Sequence, residues 1–325
     1  MMPDENKFIP PYALNTAVLF LVFNRLDTTK QVFEAIRQAK PPRLYIAADG
    51  ARDGKDGEAD KVQSVRNFVM KNIDWDCEVR TLFREKNLGC KYAVSGAITW
   101  FFENEEQGII LEDDVVPNQD FFYFVENNLE KYKNDHRVMM VSGMNYFSDS
   151  SLDTSFFFSE YINIWGWGTW RRSWDLYDVD MPEWSKSEVK KDFQNKYFSS
   201  YIWRYLRNIF NMIEDKRINT WDIQWFFCCL YNHGVCIVPK VNMVTNIGID
   251  GTHVSGQTDS HFLKKENLEK SEYLEFFPNV NVNTQYDFRI YEEKIKPQVR
   301  WSDFLCILKF FHLYDFARSI KKKLL

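Results

Sequence analysis

Residues Gly108 to Phe122 read GIILEDDVVPNQDFF: four apolar residues run straight into three carboxylates, Glu112, Asp113 and Asp114. Gly108-Ile109-Ile110-Leu111 has the uniformly apolar, β-branched character of a central strand covered on both faces. Val115, Val116 and Pro117 read as a short loop. Asn118 then caps a helix with Asp120 in its first turn and Phe121 to Val125 as its body. The acids therefore stand at the carboxyl end of a parallel strand, where open α/β sheets place their ligands. Three adjacent like charges repel, and a divalent cation offsets that cost most directly. Plainer readings remain beside it: acids solvated on an open loop, or Asp113 or Asp114 capping the helix that follows.

Upstream, the same alternation repeats. Thr16 to Phe23 (TAVLFLVF) is a buried strand ending at Asn24-Arg25, and Asp27 caps a helix with Val32, Phe33 and Ile36 on one face. Arg43 to Ala48 is the next strand and stops at Asp49-Gly50. The loop DGARDGKDGEAD that follows is not a calcium loop, because Ala51 stands at the third ligand position and Asp60 where a bidentate Glu belongs. Val62, Val65, Phe68 and Val69 mark a second helix, Cys77 to Phe83 a third strand and Leu88 to Phe102 a third helix. Strands alternating with helices predict an α/β fold with a mostly parallel, doubly wound sheet flanked by helices. No GxGxxG follows the first strand and no GxxxxGK[ST] occurs, which excludes a dinucleotide fingerprint and a P-loop. Three strand ends carry polar residues suited to a nucleotide: Asn24 and Arg25, Asp49, and Glu112 to Asp114.

The bulk numbers narrow the class. The 325 residues suffice for one large domain or two smaller ones. A 45% hydrophobic share with only 13 Gly and 10 Pro is that of a globular chain. The net charge of −5 argues against nucleic acid as a partner. Six cysteines without a CxxC pair or regular framework read as reduced thiols in a cytosolic protein. Val18 to Phe23 is flanked by charge and lacks a small-residue cleavage site, so it reads as a strand, not a signal peptide. His136, His233, His261 and His312 form no zinc-ligand pattern.

The aromatic share of 17% lies mainly between Phe121 and Phe227, where it suits either sugar and base rings or a thick aromatic core. Asn163 to Trp170 (NIWGWGTW) fits an aromatic wall on a mobile loop, or a packed turn with its tryptophans in the core. Tyr197 to Asp215 is an amphipathic helix. Thr220 reads as a helix cap with Asp222 in the first turn, where its plain role is to complement the helix dipole. Leu230 to Pro239 returns to a strand, and Val244 to Gly256 is polar and Gly-rich enough to be a lid. Trp301 to Leu325 spaces Phe304, Leu308 and Phe311 helically and ends in Lys321, Lys322 and Lys323. Such a helix lies on an anionic membrane surface or packs on the body of the protein.

A strand ending in Asn-Arg, one ending in Asp and a later one ending Glu-Asp-Asp, followed by Phe-Phe, resemble the nucleotide-diphospho-sugar glycosyltransferases of the GT-A fold. The pattern is similar to that of N-acetylglucosaminyltransferase I and its bacterial relatives. It continues through Gly166-Trp167, Trp221-Asp222-Ile223-Gln224-Trp225, Asn246-Ile247-Gly248 and Gly251-Thr252-His253, covering roughly residues 14 to 260.

The resemblance implies a GT-A-like (Rossmann-like) domain over 1–260, with 14–145 as nucleotide-sugar half and 146–260 as acceptor half. Residues 261–325 form an extension ending in the basic helix. It implies that Arg25, with Asn24, meets the diphosphate or base, that Asp49 binds the uracil edge, and that Glu112 lies near the donor sugar with Asp113 near the ribose. Asp114 becomes the only direct protein ligand of Mn²⁺ or Mg²⁺, His253 touches phosphate or sugar, and Gly166, Trp167 and Asn246 line the acceptor side or lid. Asp222 becomes the catalytic base. Lys91, beside Cys90, stands where the family has a histidine near the nucleotide. The implied activity is metal-dependent, inverting transfer from a UDP-sugar, of the UDP-GlcNAc kind, to a glycan, glycolipid or glycoprotein hydroxyl. The implied setting is polysaccharide assembly in the cytoplasm or at the inner face of its membrane. A retaining transferase of this fold, or a non-catalytic glycan-binding protein using the Trp-rich loop, are the alternatives.

Overall fold

The computed structural model describes residues 12–197, 200–248, 263–268 and 275–297. His253 and the expected basic helix of 301–325 lie outside the described residues, as does most of the expected lid. The chain forms two compact units. The first draws on Met1–Val179, Asn219–Gly248 and Gln257–Val282, the second on Asp180–Ile218, Ile249–Gly256 and Asn283–Leu325.

The first unit opens with the expected alternation: β1 (Ala17–Val22), α1 (Leu26–Ala39), β2 (Arg43–Ala48), α2 (Glu58–Asn72), β3 (Glu78–Phe83), α3 (Gly89–Phe102) and β4 (Gln107–Glu112). Then follow β5 (Val115–Pro117), α4 (Gln119–Tyr132), β6 (Val138–Ser142), β7 (Phe156–Ser159), β8 (Trp167–Trp170) and the one-turn α5 (Arg171–Trp174). In the second unit α6 (Ser187–Lys196) and α7 (Ser200–Glu214) come next. The chain returns to the first unit with α8 (Asp222–Tyr231), β9 (Val235–Pro239) and β10 (Val244–Asn246), and closes in the second with α9 (Thr284–Ile290). No helix among the described residues is long and apolar enough to cross a membrane.

The main sheet has eight strands in the order β3-β2-β1-β4-β8-β6-β9-β7. It is parallel from β3 through β4 and again between β6 and β9, while β8 runs antiparallel to both β4 and β6, and β7 antiparallel to β9. This is the expected α/β class, with a mostly parallel sheet flanked by helices. β1 and β6 are buried along their whole length, as strands covered on both faces must be.

Three local expectations change. Val115–Pro117 is a strand, not a loop: it pairs antiparallel with Val244–Asn246, more than a hundred residues later. Of the two readings open for Asn163 to Trp170, the loop gives way to the packed one: the stretch ends in β8, where Trp167 and Trp170 are 0% and 2% exposed. α1 begins at Leu26, with Arg25 as the N-cap residue and Asp27 in the first turn. Asn118 does cap α4, its Oδ1 accepting from Phe121 N at 3.0 Å. Within the second unit, Trp184 is fully buried against Phe193 and Phe210.

Candidate active site

Register explains why three distant strand ends meet. β1 lies between β2 and β4, parallel to both, with Val22 opposite Ala48 and Leu21 opposite Glu112. The residues that follow each strand therefore leave one edge of the sheet together: Asn24-Arg25, Asp49 and Asp113-Asp114. That edge is the carboxyl end of the strands, where the sheet's own twist opens a crevice.

The acids are not left to repel one another. The Arg25 guanidinium bonds Asp113 and also reaches Asp114 at 2.9 Å. The offset that sequence reasoning assigned to a divalent cation is supplied, in the protein itself, by an arginine. Burial pulls the Arg25 pKa down, but Asp113 and then Asp114 outweigh it and raise it overall. Burial pushes Asp113 up to about 6 despite its arginine partner, with Asp114 adding to the rise. Glu112 is pushed up to about 8, first by burial and then by the charges of Asp114, Asp113 and Asp222, with only Arg25 opposing. Asp222, which belongs to α8, is thus among the charges that act on Glu112.

A second wall comes from the β5–β10 ribbon. Because Asn246 pairs with Val115, the chain leaving β10 passes directly over Asp114. Ile247 N donates to the Asp114 carbonyl at 2.8 Å, and Asn246 Oδ1 accepts from Gly248 N at 2.8 Å. A Cβ on Gly248 would lie 2.2 Å from Asp114 Oδ2 and 2.9 Å from Arg25 Nη1. Only glycine lets the backbone approach that closely.

Asp49 is engaged by backbone. It accepts from Leu88 N at 3.0 Å, from Gly89 N at 3.1 Å and from Gly50 N at 3.0 Å, so it caps α3 from outside that helix. Three residues beyond the N-cap residue Leu88, Lys91 is buried, and its amide donates to Asn219 Oδ1 at 3.0 Å. Cys90 lies among Glu112, Asp222 and Asp49, and burial followed by those charges pushes its thiol up to about 12.

Sequence reasoning passed over Glu58, although it sits in the loop rejected as a calcium site. Its carboxylate is 5% exposed and accepts from Arg52 N at 2.8 Å, from the Arg52 guanidinium and from Asn24 Nδ2 at 3.0 Å. Those bonds, led by Arg52, hold its pKa down at about 2. Asn24 is thereby fixed between β1 and the loop after β2. The signal for this was present only in three dimensions, since Glu58 and Asn24 are far apart in the chain.

Asp222 opens α8, and Thr220 does not cap the helix: the N-cap residue is Trp221, and the Thr220 hydroxyl bonds the Asp222 carboxylate instead. Aromatic packing fixes that helix end. Trp221 stacks on Trp167 with centroids 5.8 Å apart and an 18° interplanar angle, and the Tyr177 hydroxyl donates to the Trp221 carbonyl at 3.1 Å. Trp174 and Trp225 complete the block. Trp167 therefore supports Asp222 from within and presents no face to a ligand. Gly166, at φ +60°, is a backbone hinge: its carbonyl accepts from Gly143 N at 2.7 Å.

The acids are hard oxygen donors, and Asp113 Oδ2 is buried without a hydrogen-bond partner. Yet among the described residues no three His, Cys, Asp or Glu side chains converge on a metal position. Asp114 fits a hard cation as one ligand among several, the rest coming from substrate oxygens and water.

No family model matches the chain, and no curated protein does. Solved structures match at low identity. The mannosyltransferase PcManGT from Pyrobaculum calidifontis, in complex with GDP-Man and Mn2+, is 13% identical over 68% of this chain and 70% of its own, with a TM-score of 0.37. HddC from Yersinia pseudotuberculosis is 11% identical over 48% of this chain and 77% of its own, with a TM-score of 0.30. S. aureus TarS 1-349 is 9% identical over 52% of this chain and 51% of its own, with a TM-score of 0.32.

Proposed function

We propose that this chain is a metal-dependent, inverting glycosyltransferase that moves a sugar from a nucleotide diphosphate, a UDP-sugar of the acetamido type, to a hydroxyl of a glycan, glycolipid or glycoprotein. The observation that carries the reading is the meeting of Arg25 with Glu112 to Asp114 at the carboxyl edge of one sheet, with Asp222 at the start of α8 among the charges acting on Glu112. A cation, the acids that hold it and a separate carboxylate are the parts this reaction requires.

Asp222 takes the proton of the acceptor hydroxyl as that oxygen bonds to the anomeric carbon, and the electron pair of the breaking C–O bond leaves with the diphosphate. Arg25 faces the charge that develops on the leaving group. Asp114 would hold Mn²⁺ or Mg²⁺, which supplies Lewis-acid neutralisation of the diphosphate. Asn24, Asp49 and Lys91 hold the nucleoside, with Glu112 and Asp113 toward sugar and ribose and Asn246, on β10, at the acceptor side. A second carboxylic acid is not needed, because a metal-bound diphosphate departs more readily than a sugar alkoxide.

A glycan-binding protein is the weaker reading, since two of the three rings of the Trp-rich stretch, Trp167 and Trp170, are buried and Trp165 is half-buried against the core. The test is slow hydrolysis of UDP-sugars with Mn²⁺. Release of UDP by the wild-type chain, reduced about 10²–10⁴-fold in Asp222→Asn with donor binding kept, supports the transferase. Retained turnover in that variant moves the base elsewhere, and binding without any hydrolysis favours the lectin.

A further inference from the structure

The Arg25 contacts carry a consequence for how the site is loaded. The guanidinium spans Asp113 and Asp114, placing a fixed positive charge against the carboxylate assigned to a metal. Arg25 Nη1 is buried and has no hydrogen-bond partner, and Asp113 Oδ2 is likewise unpaired. One end of the arginine is committed to the acids while a donor group on the other stays unspent. Gly248 presses on the same pair from the β10 side, with no room for a side chain between.

We propose that Arg25 is an internal counter-cation that closes the metal position until a diphosphate arrives. Without nucleotide, the guanidinium neutralises Asp114 and repels a second cation. A diphosphate offers the partly exposed guanidinium a stronger anionic partner, so the arginine turns from Asp114 and a divalent cation entering with the nucleotide takes its place. Metal and nucleotide therefore bind in a linked manner, each raising the affinity of the other. The inference rests on the reading of Asp114 as metal ligand and adds the order in which the ligands enter.

The experiment titrates the full chain with Mn²⁺, following free ion by electron paramagnetic resonance, first without nucleotide and then with UDP. The expected result is weak Mn²⁺ binding by wild type alone, and binding about tenfold tighter by Arg25→Gln, also without nucleotide. Arg25→Lys, which keeps the charge, is expected to exclude the ion as wild type does. Equal Mn²⁺ affinity in wild type and folded Arg25→Gln overturns the proposal.

Should the glutamine variant fail to fold, nitrogen-15 signals of the wild-type arginine side chains decide the matter. The Arg25 resonance is expected to move with UDP and Mg²⁺ together and to stay in place with Mg²⁺ alone. Movement with Mg²⁺ alone overturns the gate. Failure of bound UDP to raise Mn²⁺ affinity in wild type also overturns the gate, because the linkage is part of it; absence of any UDP binding counts instead against the transferase reading.

Discussion

Glu58 and Asp114 show two different uses of a carboxylate near the same strand ends. Glu58 is satisfied by Arg52 and Asn24 and is held at about 2, below its ordinary value of 4.5. A lowered folded-state pKa means stability that is present above about pH 4.5 and lost as the pH falls toward 2. Glu58→Gln is expected to cost roughly 1–2 kcal/mol at pH 7, the scale of hydrogen bonds to a charged group, and to flatten the acid limb. Urea denaturation at pH 7 and pH 3 checks this: the gap between wild type and variant narrows at the lower pH, and a gap that stays constant removes the assignment. Asp114 is instead the carboxylate proposed to hold the metal. Asp114→Ala is expected to leave Arg25 paired with Asp113 and the fold intact, while metal-dependent donor binding is lost in calorimetric titration of UDP with Mn²⁺.

Elements turn these residues into a site, and here the sequence was legible in part. Strand-helix alternation as far as β4 could be read because β1, β2 and β4 are mainly apolar runs and the helices between them carry apolar positions on one face, while β3, EVRTLF, mixes polar and apolar residues. The acids, Asn24, Arg25 and Asp49 could be placed at strand ends for the same reason. What stayed hidden was non-local. Val115–Pro117 is too short to show a period, and its partner β10 lies far along the chain. The Trp-rich stretch stays open in the sequence between an accessible loop and a packed turn, because composition does not reveal which rings stack on one another. The ribbon gives the element-scale prediction. A methyl at Gly248 collides with the mobile ends of Asp114 and Arg25, not with backbone, so the fold yields at little cost while the site is displaced. Gly248→Ala is expected to melt near wild type yet lose about 10²-fold in kcat/KM, the penalty of misplacing reacting groups by about 1 Å. An unchanged kcat/KM would detach the ribbon from the chemistry.

Across the first unit, one antiparallel strand joins two parallel groups of strands. β1 to β4 form the parallel half that carries Arg25 and the acid triplet, while β6 and β9 form a second parallel pair, and β8 runs antiparallel between β4 and β6. Trp167 sits on that joining strand, opposite Ile110 of the acid-bearing strand and stacked on Trp221 at the start of α8. The distance between the acids and Asp222 is therefore set by a single packed layer, with Asp222 itself contributing little to holding it together. Two substitutions on the same helix-strand contact should then behave in opposite ways. Trp167→Ala is expected to destabilise by about 3–5 kcal/mol, the usual cost of emptying a buried large aromatic, and to lose activity together with the fold. Asp222→Asn is expected to abolish turnover with a melting curve close to wild type. Thermal melts and UDP release measured on both variants separate support from chemistry: a Trp167→Ala protein that remains fully folded but inactive would mean that the aromatic layer acts in the reaction instead of holding its parts in place.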